Sequence, residues 1–295
     1  MNAKQKSITI FGADGQLGVD LCAVFEGHNL EPVVYPGVDI RDRSQVGAVL
    51  DRSRPDWVIN SAAMTHVDRC EDLDLAAYQV NAVGAKHVAE KCRASGARLI
   101  QISTDYVFDG KKEHPYVEDD RTGPVNVYGL TKLAGERFVS NAAPDTIILR
   151  TSGLYGTHPC WGKGQNFVDT MLELAKTKEC LHIVDDEVLT PTFTEDLAVV
   201  VRSIIDKSPP GGIYHATNAG QCSWFEFART VFELSGIRIR IEKTTAAEWN
   251  APAKRPSYSV LDNRRLQELG LDTMPTWESA LERYLNKKYP RGVDA

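Results

Sequence analysis

The segment that decides the fold is Phe11-Gly12-Ala13-Asp14-Gly15-Gln16-Leu17-Gly18, which follows a short apolar run, Ser7–Phe11, and leads into an amphipathic stretch. Its glycines have the spacing G-x-x-G-x-x-G. Glycine permits a tight turn, the close approach of a pyrophosphate to the backbone, and contact between helix and strand. The first N–H groups of the following helix lie at the positive end of its dipole and suit a phosphate. Because the turn stands between a first strand and a first helix, it predicts a dinucleotide site rather than a merely structural turn.

Short apolar segments and longer amphipathic segments alternate through the first half of the 295-residue chain. This alternation predicts a parallel sheet with helices on both faces and right-handed crossovers. The predicted strands are 7–11, 32–35, 57–60, 98–103 and 146–150, and the predicted helices are 17–25, 44–54, 75–95 and 128–140.

The alternation weakens after about residue 150. Thr194 is a predicted N-cap, and Ser223 with Glu226 forms a predicted capping box. The sequence therefore predicts a doubly wound parallel α/β sheet in residues 1–150 and a smaller C-terminal α/β lobe in residues 151–295. No Gly/Ser/Pro-rich linker separates the two, so the boundary is soft and segments can interleave across it. In the second region the predicted helices are 166–176, 194–205, 223–235 and 277–285, and the predicted strands are 182–184, 213–216 and 237–243.

Composition and charge argue against several classes of protein. Charged residues are 25% and hydrophobic residues 42% of the chain, and the net charge of −6 gives no attraction to nucleic acid or to an anionic membrane. No apolar run reaches the ~20 residues of a membrane helix, and the polar start is unlike a signal peptide. The six cysteines include no C-x-x-C pair, which favours reduced thiols over disulfides or a zinc site. We therefore expect a cytoplasmic protein with no nucleic-acid partner, no membrane partner and no metal.

Two further segments bear on the cofactor. The second predicted strand ends without the acid that commonly binds the adenosine ribose, and the nearest acid is Asp39, beside Ile40. Arg41 and Arg43 follow, and they suit either a 2′-phosphate or a solvated loop. The choice between NAD and NADP stays open, with a slight preference for NADPH. Small residues at 60–65 either let the backbone pass close to a flat cofactor or serve tight packing of helix on sheet.

Tyr128 and Lys132 stand at i and i+4 of a predicted helix and face the same side of it. A neighbouring ammonium and an oxidised nicotinamide both favour phenolate, so they lower the pKa of tyrosine from its ordinary value of about 10. The phenol can then give its proton to a carbonyl oxygen as hydride reaches the carbon. The pair is common by chance, but the run 102–108 begins at the carboxyl end of a strand, where α/β folds bind ligands. A hydroxyl there can orient the carbonyl; Thr104 is the predicted donor and Ser103 the alternative.

Together these motifs resemble the dTDP-4-dehydrorhamnose reductase family of the extended short-chain dehydrogenases/reductases. The resemblance implies a Rossmann-type fold and NADPH or NADH as cofactor. It also implies reduction of the C4 keto group of dTDP-4-dehydro-L-rhamnose to give dTDP-L-rhamnose, a precursor of surface polysaccharides. The similarity runs from the first strand to the last helix and is carried by the segments 11–18, 62–68, 103–110, 126–136, 166–167 and 253–256.

The resemblance implies roles for individual residues. The implied catalytic residues are Thr104, Tyr128 and Lys132. The implied cofactor contacts are Gly12, Asp14, Gly15, Gln16, Leu17, Asp39, Ile40, Ala62, Ala63, Thr65, Tyr128 and Lys132. The implied substrate contacts are Val67, Thr104, Asp105, Tyr106, Tyr128, Asn166 and Arg255. Arg255 also has a rationale of its own, because a guanidinium fork suits a diphosphate, although an isolated arginine is more commonly solvated.

Two segments depart from the family pattern. Gly153 stands where the family usually has tryptophan, and residues 187–190 replace a glutamine–glycine segment before Pro-Thr. Gly153 leaves either a wider pocket or a gap that another side chain fills. Trp161 is a candidate to close over the sugar, or alternatively to pack in the core of the smaller lobe.

Other functions stay open at this point. The main alternative is a sibling reductase of another 4-keto-6-deoxy sugar nucleotide. A dehydratase of the same fold is disfavoured because Asp105 is followed by Tyr106 and not by a second acid. A regulatory subunit that only binds the cofactor is the alternative of a different class, and the presence of the complete Thr–Tyr–Lys set favours an enzyme. A homodimer is expected only from the frequency of two-fold oligomers.

Overall fold

Six parallel strands form the central sheet of the computed structural model, which describes residues 5–159 and 164–290. The strands are β1 (Ser7–Phe11), β2 (Asn29–Val33), β3 (Trp57–Asn60), β4 (Arg98–Thr104), β5 (Ile147–Thr151), β6 (Leu154–Tyr155), β7 (Cys180–Val184), β8 (Val188–Leu189), β9 (Thr192–Phe193), β10 (Gly212–His215), β11 (Cys222–Ser223) and β12 (Arg240–Thr244). The helices are α1 (Gln16–Val24), α2 (Arg43–Ser53), α3 (Val67–Asp72), α4 (Asp74–Tyr78), α5 (Ala85–Ser95), α6 (Val127–Ala142), α7 (Phe167–Ala175), α8 (Thr194–Lys207), α9 (Trp224–Ser235), α10 (Ala246–Trp249), α11 (Arg264–Glu268) and α12 (Trp277–Lys288). The order of strands in the central sheet is β10-β5-β4-β3-β1-β2.

Helices cover both faces of this sheet because its strands are apolar on both sides. On one face, Leu21 of α1 and Ile204 of α8 belong to the same buried cluster as Ile10 of β1. On the other face, Leu50 of α2 and Val88 of α5 belong to a second buried cluster. All neighbouring strands of the sheet are parallel, so the predicted doubly wound α/β fold is confirmed.

The strand order also fixes where a ligand can bind. β1 lies between β2 and β3. The connection from β1 to β2 runs to one side of β1, and the next connection crosses to β3 on its other side. In such sheets the crevice beyond the carboxyl ends of the strands, at this switch point, is the usual ligand site. The glycine turn follows β1 and stands in that crevice.

The second half of the chain contributes to both parts of the molecule. β10 pairs in parallel with β5 at the edge of the central sheet, and α8 packs on α1. α11 packs against β10 of this sheet. The other elements after β5 form a smaller lobe, whose buried clusters join α7, α9 and α12, and in which β12 pairs with β7. The two predicted regions therefore interleave. Within the described ranges, no helix is long and apolar enough to cross a membrane.

Two predicted helices differ in detail from the structure. The segment 75–95 is divided into α4, a π-helical segment at Gln79–Gly84, and α5. Thr194 was the predicted N-cap of α8, and that prediction is wrong, because Phe193 occupies the cap position. The hydroxyl of Thr194 instead donates to Oδ2 of Asp20 on α1 (2.5 Å). This hydroxyl therefore does not cap α8.

Two other details concern strand and helix ends. The second strand is Asn29–Val33, so it ends two residues earlier than the predicted 32–35. The predicted capping box is confirmed: Ser223 accepts a hydrogen bond from the backbone of Glu226, whose side chain accepts one in return from the backbone of Ser223.

Candidate active site

The glycine turn after β1 requires glycine at two positions. Gly12 has a φ of +77°, and a Cβ on it would lie 2.8 Å from the backbone nitrogen of Ala62. A Cβ on Gly18 would lie 2.1 Å from the carbonyl oxygen of Gly12, so α1 could not start this close to the strand with a larger residue. The backbone N–H of Gly12 donates to the carbonyl of Val33 (2.9 Å), which ties the turn to β2. Gly15, the N-cap of α1, has no side chain to cap the first turn, and an anion is suited to that position.

One cavity of about 570 Å³ begins at this turn and follows the carboxyl ends of β1, β3, β4 and β5. A cavity of this size suits a small-molecule ligand or cofactor. Among the described residues, Asn166 and Arg255 are the predicted site residues that do not line it. The predicted site residues that do line it are Gly12, Asp14, Gly15, Gln16, Leu17, Asp39, Ile40, Ala62, Ala63, Thr65, Val67, Thr104, Asp105, Tyr106, Tyr128 and Lys132.

The three predicted catalytic residues meet at this cavity. Thr104 is the last residue of β4, and Tyr128 and Lys132 lie near the start of α6. The ring of Tyr128 stands edge-on to that of Tyr106, with 5.9 Å between the ring centres. The ammonium of Lys132 donates to the carbonyl of Ile102 (2.7 Å), which holds the lysine against the end of β4. Burial lowers the pKa of Lys132 to about 8, and the negative charge of Glu136 opposes this shift.

Glu136, one turn after Lys132 on α6, is the centre of a buried polar network. Arg150 of β5 makes two hydrogen bonds to the Glu136 carboxylate, Nε to Oε1 (2.9 Å) and Nη2 to Oε2 (2.7 Å). The hydroxyl of Ser103 donates to Glu136 Oε1 (2.6 Å). The hydroxyl of Ser103, the alternative predicted donor, is therefore directed into this network.

Asp105 follows Thr104 and is buried beneath it. Its Oδ1 accepts a hydrogen bond from the Thr104 hydroxyl (2.9 Å), and its Oδ2 accepts one from the Ser152 hydroxyl (2.8 Å). Burial raises the pKa of Asp105 to about 6, although hydrogen bonds from Ser259, Ser152 and Thr104 lower it. Asp105 therefore sets the direction in which the Thr104 hydroxyl points.

The π-helical segment Gln79–Gly84 positions one wall of the cavity. The side-chain amide of Asn81 donates to the carbonyl of Met64 (3.1 Å) and accepts from the backbone N–H of Met64 (2.8 Å). The same amide donates to the hydroxyl of Thr131 on α6 (3.0 Å). Asn81 thus joins the loop after β3 to α6. The sequence offered no signal for this role, because the segment has the period of an ordinary helix.

The charged residues after β2 divide between the cavity and the surface. Asp39 and Arg41 both line the cavity, and the Arg41 guanidinium is bound to the Asp39 carboxylate (Nη2 to Oδ2, 2.5 Å). Arg43 pairs instead with Glu90 (3.3 Å) and is largely exposed. Of the two arginines proposed for a 2′-phosphate, Arg41 is therefore the one placed at the cavity.

Arg255 and Asn166 have partners outside the cavity. The fork of Arg255 is bound at both nitrogens to Asp68 of α3, with 2.9 Å in each hydrogen bond. This pair fixes the 253–256 segment to the first turn of α3, so Arg255 does not point freely towards a diphosphate. The side chain of Asn166 caps α7 and donates to the hydroxyl of Tyr284 (3.1 Å). Their predicted substrate contacts stay predictions.

The gap beside Gly153 is filled by Leu189, which sequence reasoning missed. A Cβ on Gly153, whose φ is +53°, would lie 2.8 Å from Leu189 Cδ1. Leu189 lines the cavity together with Phe167 and Trp224, whose ring centres are 4.6 Å apart. The departures at 153 and 187–190 were the signal, because the two segments contact each other. Trp161, the candidate either to close over the sugar or to pack in the core of the smaller lobe, lies outside the described residues.

Glu187 is a second residue that sequence reasoning did not assign. It is buried, and it interacts with Arg255 and with the side chain of Trp224. Burial raises its pKa to about 7, while the positive charge of Arg255 lowers it. A carboxyl group therefore lies behind an aromatic wall of the cavity.

The turn, the cavity and the Thr–Tyr–Lys set at the carboxyl edge of a doubly wound sheet define a class, the short-chain dehydrogenases/reductases. Comparison with known proteins narrows it. The model of the RmlD substrate binding domain family matches residues 6–289, and the chain belongs to this family.

Curated relatives and solved structures agree with that assignment. The chain is 41% identical over 280 residues to a dTDP-4-dehydrorhamnose reductase of Streptomyces griseus, covering 92% of this chain and 90% of the relative. It is 40% identical over 277 residues to a dTDP-4-keto-6-deoxy-D-glucose reductase of Streptomyces niveus, covering 92% and 94%. A crystal structure of a dTDP-4-dehydrorhamnose reductase from Bacillus anthracis in complex with NADP superposes with a TM-score of 0.91 at 38% identity, covering 96% and 99%.

Proposed function

We propose that this protein is an NAD(P)H-dependent oxidoreductase that reduces the C4 keto group of a dTDP-linked 6-deoxy sugar. The first candidate reaction converts dTDP-4-dehydro-L-rhamnose to dTDP-L-rhamnose. The observation that carries the proposal is the meeting of Thr104, Tyr128 and Lys132 at the cavity that begins at the glycine turn. The names of the two Streptomyces relatives and of the NADP complex support it.

The residues around the glycine turn fit a dinucleotide. The backbone at Gly12 and Gly18 has no room for a side chain, and the start of α1 offers N–H groups to a pyrophosphate. Asp39 and Arg41 both line the cavity and are paired with each other; the guanidinium would favour a 2′-phosphate, and the carboxylate would accept a ribose hydroxyl. This pair supports use of either cofactor, with NADPH preferred. When bound, the reduced nicotinamide supplies the hydride that reaches the carbonyl carbon.

Tyr128 supplies the proton for the carbonyl oxygen. Its O–H bond breaks as the proton passes to that oxygen, which leaves a C4 hydroxyl on the sugar and a phenolate on the enzyme. The ammonium of Lys132, on the same side of α6, stabilises the phenolate. Thr104 orients the carbonyl by turning its hydroxyl proton from Asp105 to the substrate oxygen.

The apolar part of the cavity supports a deoxy sugar. Leu189, Phe167 and Trp224 present an apolar surface that suits a methyl group better than a hydroxymethyl group. Because Leu189 replaces the usual aromatic wall near Gly153, a sibling 4-keto-6-deoxy sugar is the second candidate substrate. The name of the Streptomyces niveus relative favours the same alternative. We further propose that the enzyme is cytoplasmic and homodimeric.

The substitution Tyr128→Phe tests the mechanism. Loss of the proton donor should reduce turnover of the 4-keto sugar nucleotide by about 10²–10⁴-fold, while the affinity for the reduced cofactor changes little because the ring remains. Turnover is followed by nicotinamide absorbance, and affinity by fluorescence titration. Tyr78→Phe is the matched control, because Tyr78 is a partly exposed tyrosine on α4. Near-normal turnover in Tyr128→Phe would contradict the assignment.

A further inference from the structure

A small parallel sheet in the C-terminal lobe carries polar side chains on one face. β12 pairs with β7 so that Arg240 is opposite Cys180 and Glu242 is opposite His182. Side chains two residues apart on a strand point to the same face of a sheet. The four side chains therefore share a face, although Cys180 and Glu242 are far apart in sequence. None of the four lines the cofactor cavity.

Three of these side chains offer ligand atoms at short range. The Cys180 sulfur, a ring nitrogen of His182 and a carboxylate oxygen of Glu242 all lie within 4.8 Å of one another. His182 Nδ1 and Glu242 Oε2 are 3.5 Å apart. The His182 side chain is 61% exposed and that of Glu242 37% exposed, so an ion can reach them from solvent.

We propose that Cys180, His182 and Glu242 bind a divalent transition-metal ion, with zinc the best match to the donor set. Thiolate, imidazole and carboxylate are the ligands of tetrahedral zinc sites, at about 2.0–2.3 Å from the ion. Ligand atoms around such an ion are about 3–4 Å apart, so small rotations of exposed side chains close the site. Water takes the fourth position, as in zinc sites with three protein ligands.

The position of the site would place the ion between β7 and β12. β7 leads into the segment that carries Glu187 and Leu189, and β12 leads through α10 to the segment that carries Arg255. In the part of the chain that the structure describes, β12 pairs with β7 and with no other strand. An ion held by Cys180, His182 and Glu242 would therefore crosslink β7 and β12, the strands that precede these two segments.

Arg240 places a positive charge beside this site. Its guanidinium donates to the Glu242 carboxylate, and its side chain is 73% exposed. Arg240 is bound to Oε1 of Glu242, whereas Oε2 faces His182, so an ion bound at Oε2 would lie close to the guanidinium and be repelled by its positive charge. Removing the guanidinium should therefore increase metal affinity, which is an effect that a site elsewhere on the protein would not show.

Cobalt titration of the untagged, metal-free full chain tests the proposal. Co²⁺ should produce a thiolate-to-cobalt charge-transfer band and the visible bands of tetrahedral cobalt, and Zn²⁺ should displace both. Cys180→Ser should abolish the charge-transfer band. His182→Ala and Glu242→Gln should weaken Zn²⁺ binding at least about tenfold, the loss typical even for groups that only support a ligand.

Two comparisons make the result decisive. Arg240→Ala should bind Zn²⁺ more tightly than the unaltered chain, whereas Cys22→Ser and His114→Ala, which remove a thiol and an exposed imidazole elsewhere, should leave the titration unchanged. Thermal denaturation checks that each variant is folded, and Zn²⁺ should raise the Tm of the unaltered chain but not of His182→Ala. Absence of the charge-transfer band, or bands that survive Cys180→Ser, would overturn the proposal. An unchanged affinity in Arg240→Ala would overturn it as well.

Discussion

Glu187 is a carboxylic acid whose burial disfavours its charged form. It is 7% exposed, and its pKa is raised from an ordinary value near 4.5 to about 7, chiefly by burial. The folded state therefore holds a proton that the unfolded state releases between pH 4.5 and 7. The contribution of this group to the free energy of unfolding is fully present below pH 4.5 and is lost as the pH rises through 7.

The substitution Glu187→Gln tests this at the residue scale. Glutamine stays neutral, so the free energy of unfolding of the variant should improve relative to the unaltered chain by roughly 2–3 kcal/mol between pH 5 and pH 8, at about 1.36 kcal/mol per pKa unit. Urea denaturation at a series of pH values measures it. Glu113→Gln, at an exposed position, should run parallel to the unaltered chain. Parallel curves for Glu187→Gln too would show that the carboxyl of Glu187 is not held protonated.

Residues such as Arg255 and Leu189 mark the limit of prediction at this scale. From the sequence, the guanidinium of Arg255 was predicted to contact a diphosphate. Its partner is instead Asp68, because the segment around Arg255 packs on α3. Leu189 lies beside Gly153 because β8 runs past the end of β5, which no local pattern encodes. Residue types and spacing predicted the glycine turn and the Thr–Tyr–Lys set, whose chemistry depends on strand ends and helix periodicity.

Helix α6 joins the chemistry of the site to the core of the sheet. Lys132 lies on it at the cavity, and Glu136 one turn later holds Arg150 and Ser103 in a buried network. Their side chains are 3% exposed for Glu136 and 1% for Arg150, so the ion pair is fully enclosed. Breaking such a pair leaves one buried charge without a counter-charge.

The substitution Glu136→Gln should lower the free energy of unfolding by about 3–5 kcal/mol. It should also change catalysis, because the charge of Glu136 raises the pKa of Lys132 against the effect of burial. The fall in turnover at alkaline pH, set by loss of the Lys132 proton near pH 8, should move to lower pH. Urea denaturation and a pH–rate profile measure the two effects.

Arg137→Gln is the control for this experiment, since Arg137 is the exposed neighbour of Glu136 on the same helix. Its stability should stay within about 0.5 kcal/mol of the unaltered chain. A loss of under about 1 kcal/mol in Glu136→Gln, with an unmoved pH profile, would show that the network does not support Lys132.

At the level of elements, hydrophobic periodicity predicted the order and type of the main strands and helices. It failed where tertiary contacts decide the backbone. The π-helical segment Gln79–Gly84 places Asn81 against the loop after β3. Thr194 hydrogen-bonds to Asp20 and does not cap α8. Both departures depend on partners far away in sequence.

The whole molecule is a doubly wound sheet extended by a lobe from the second half of the chain. The alternation of strands and helices predicted the sheet. β10, which lies beyond residue 200, pairs with β5 at the edge of that sheet, and this pairing depends on tertiary packing. Tertiary packing also decides where Cys180, His182 and Glu242 lie. The sequence predicted no metal because its cysteines have no C-x-x-C spacing. The pairing of β7 with β12 brings these three side chains together.

Turnover of the keto sugar nucleotide by the unaltered chain tests the central claim most directly. With dTDP-4-dehydro-L-rhamnose and NADPH, nicotinamide absorbance should fall in proportion to the keto group consumed, and NMR should identify dTDP-L-rhamnose as the product. NADH should support the same reaction with a lower kcat/KM, since Arg41 stands at the cavity to meet a 2′-phosphate. If the folded protein binds NADPH but oxidises none of it with this substrate or with any sibling 4-keto-6-deoxy sugar nucleotide, the assignment as a sugar-nucleotide reductase is wrong.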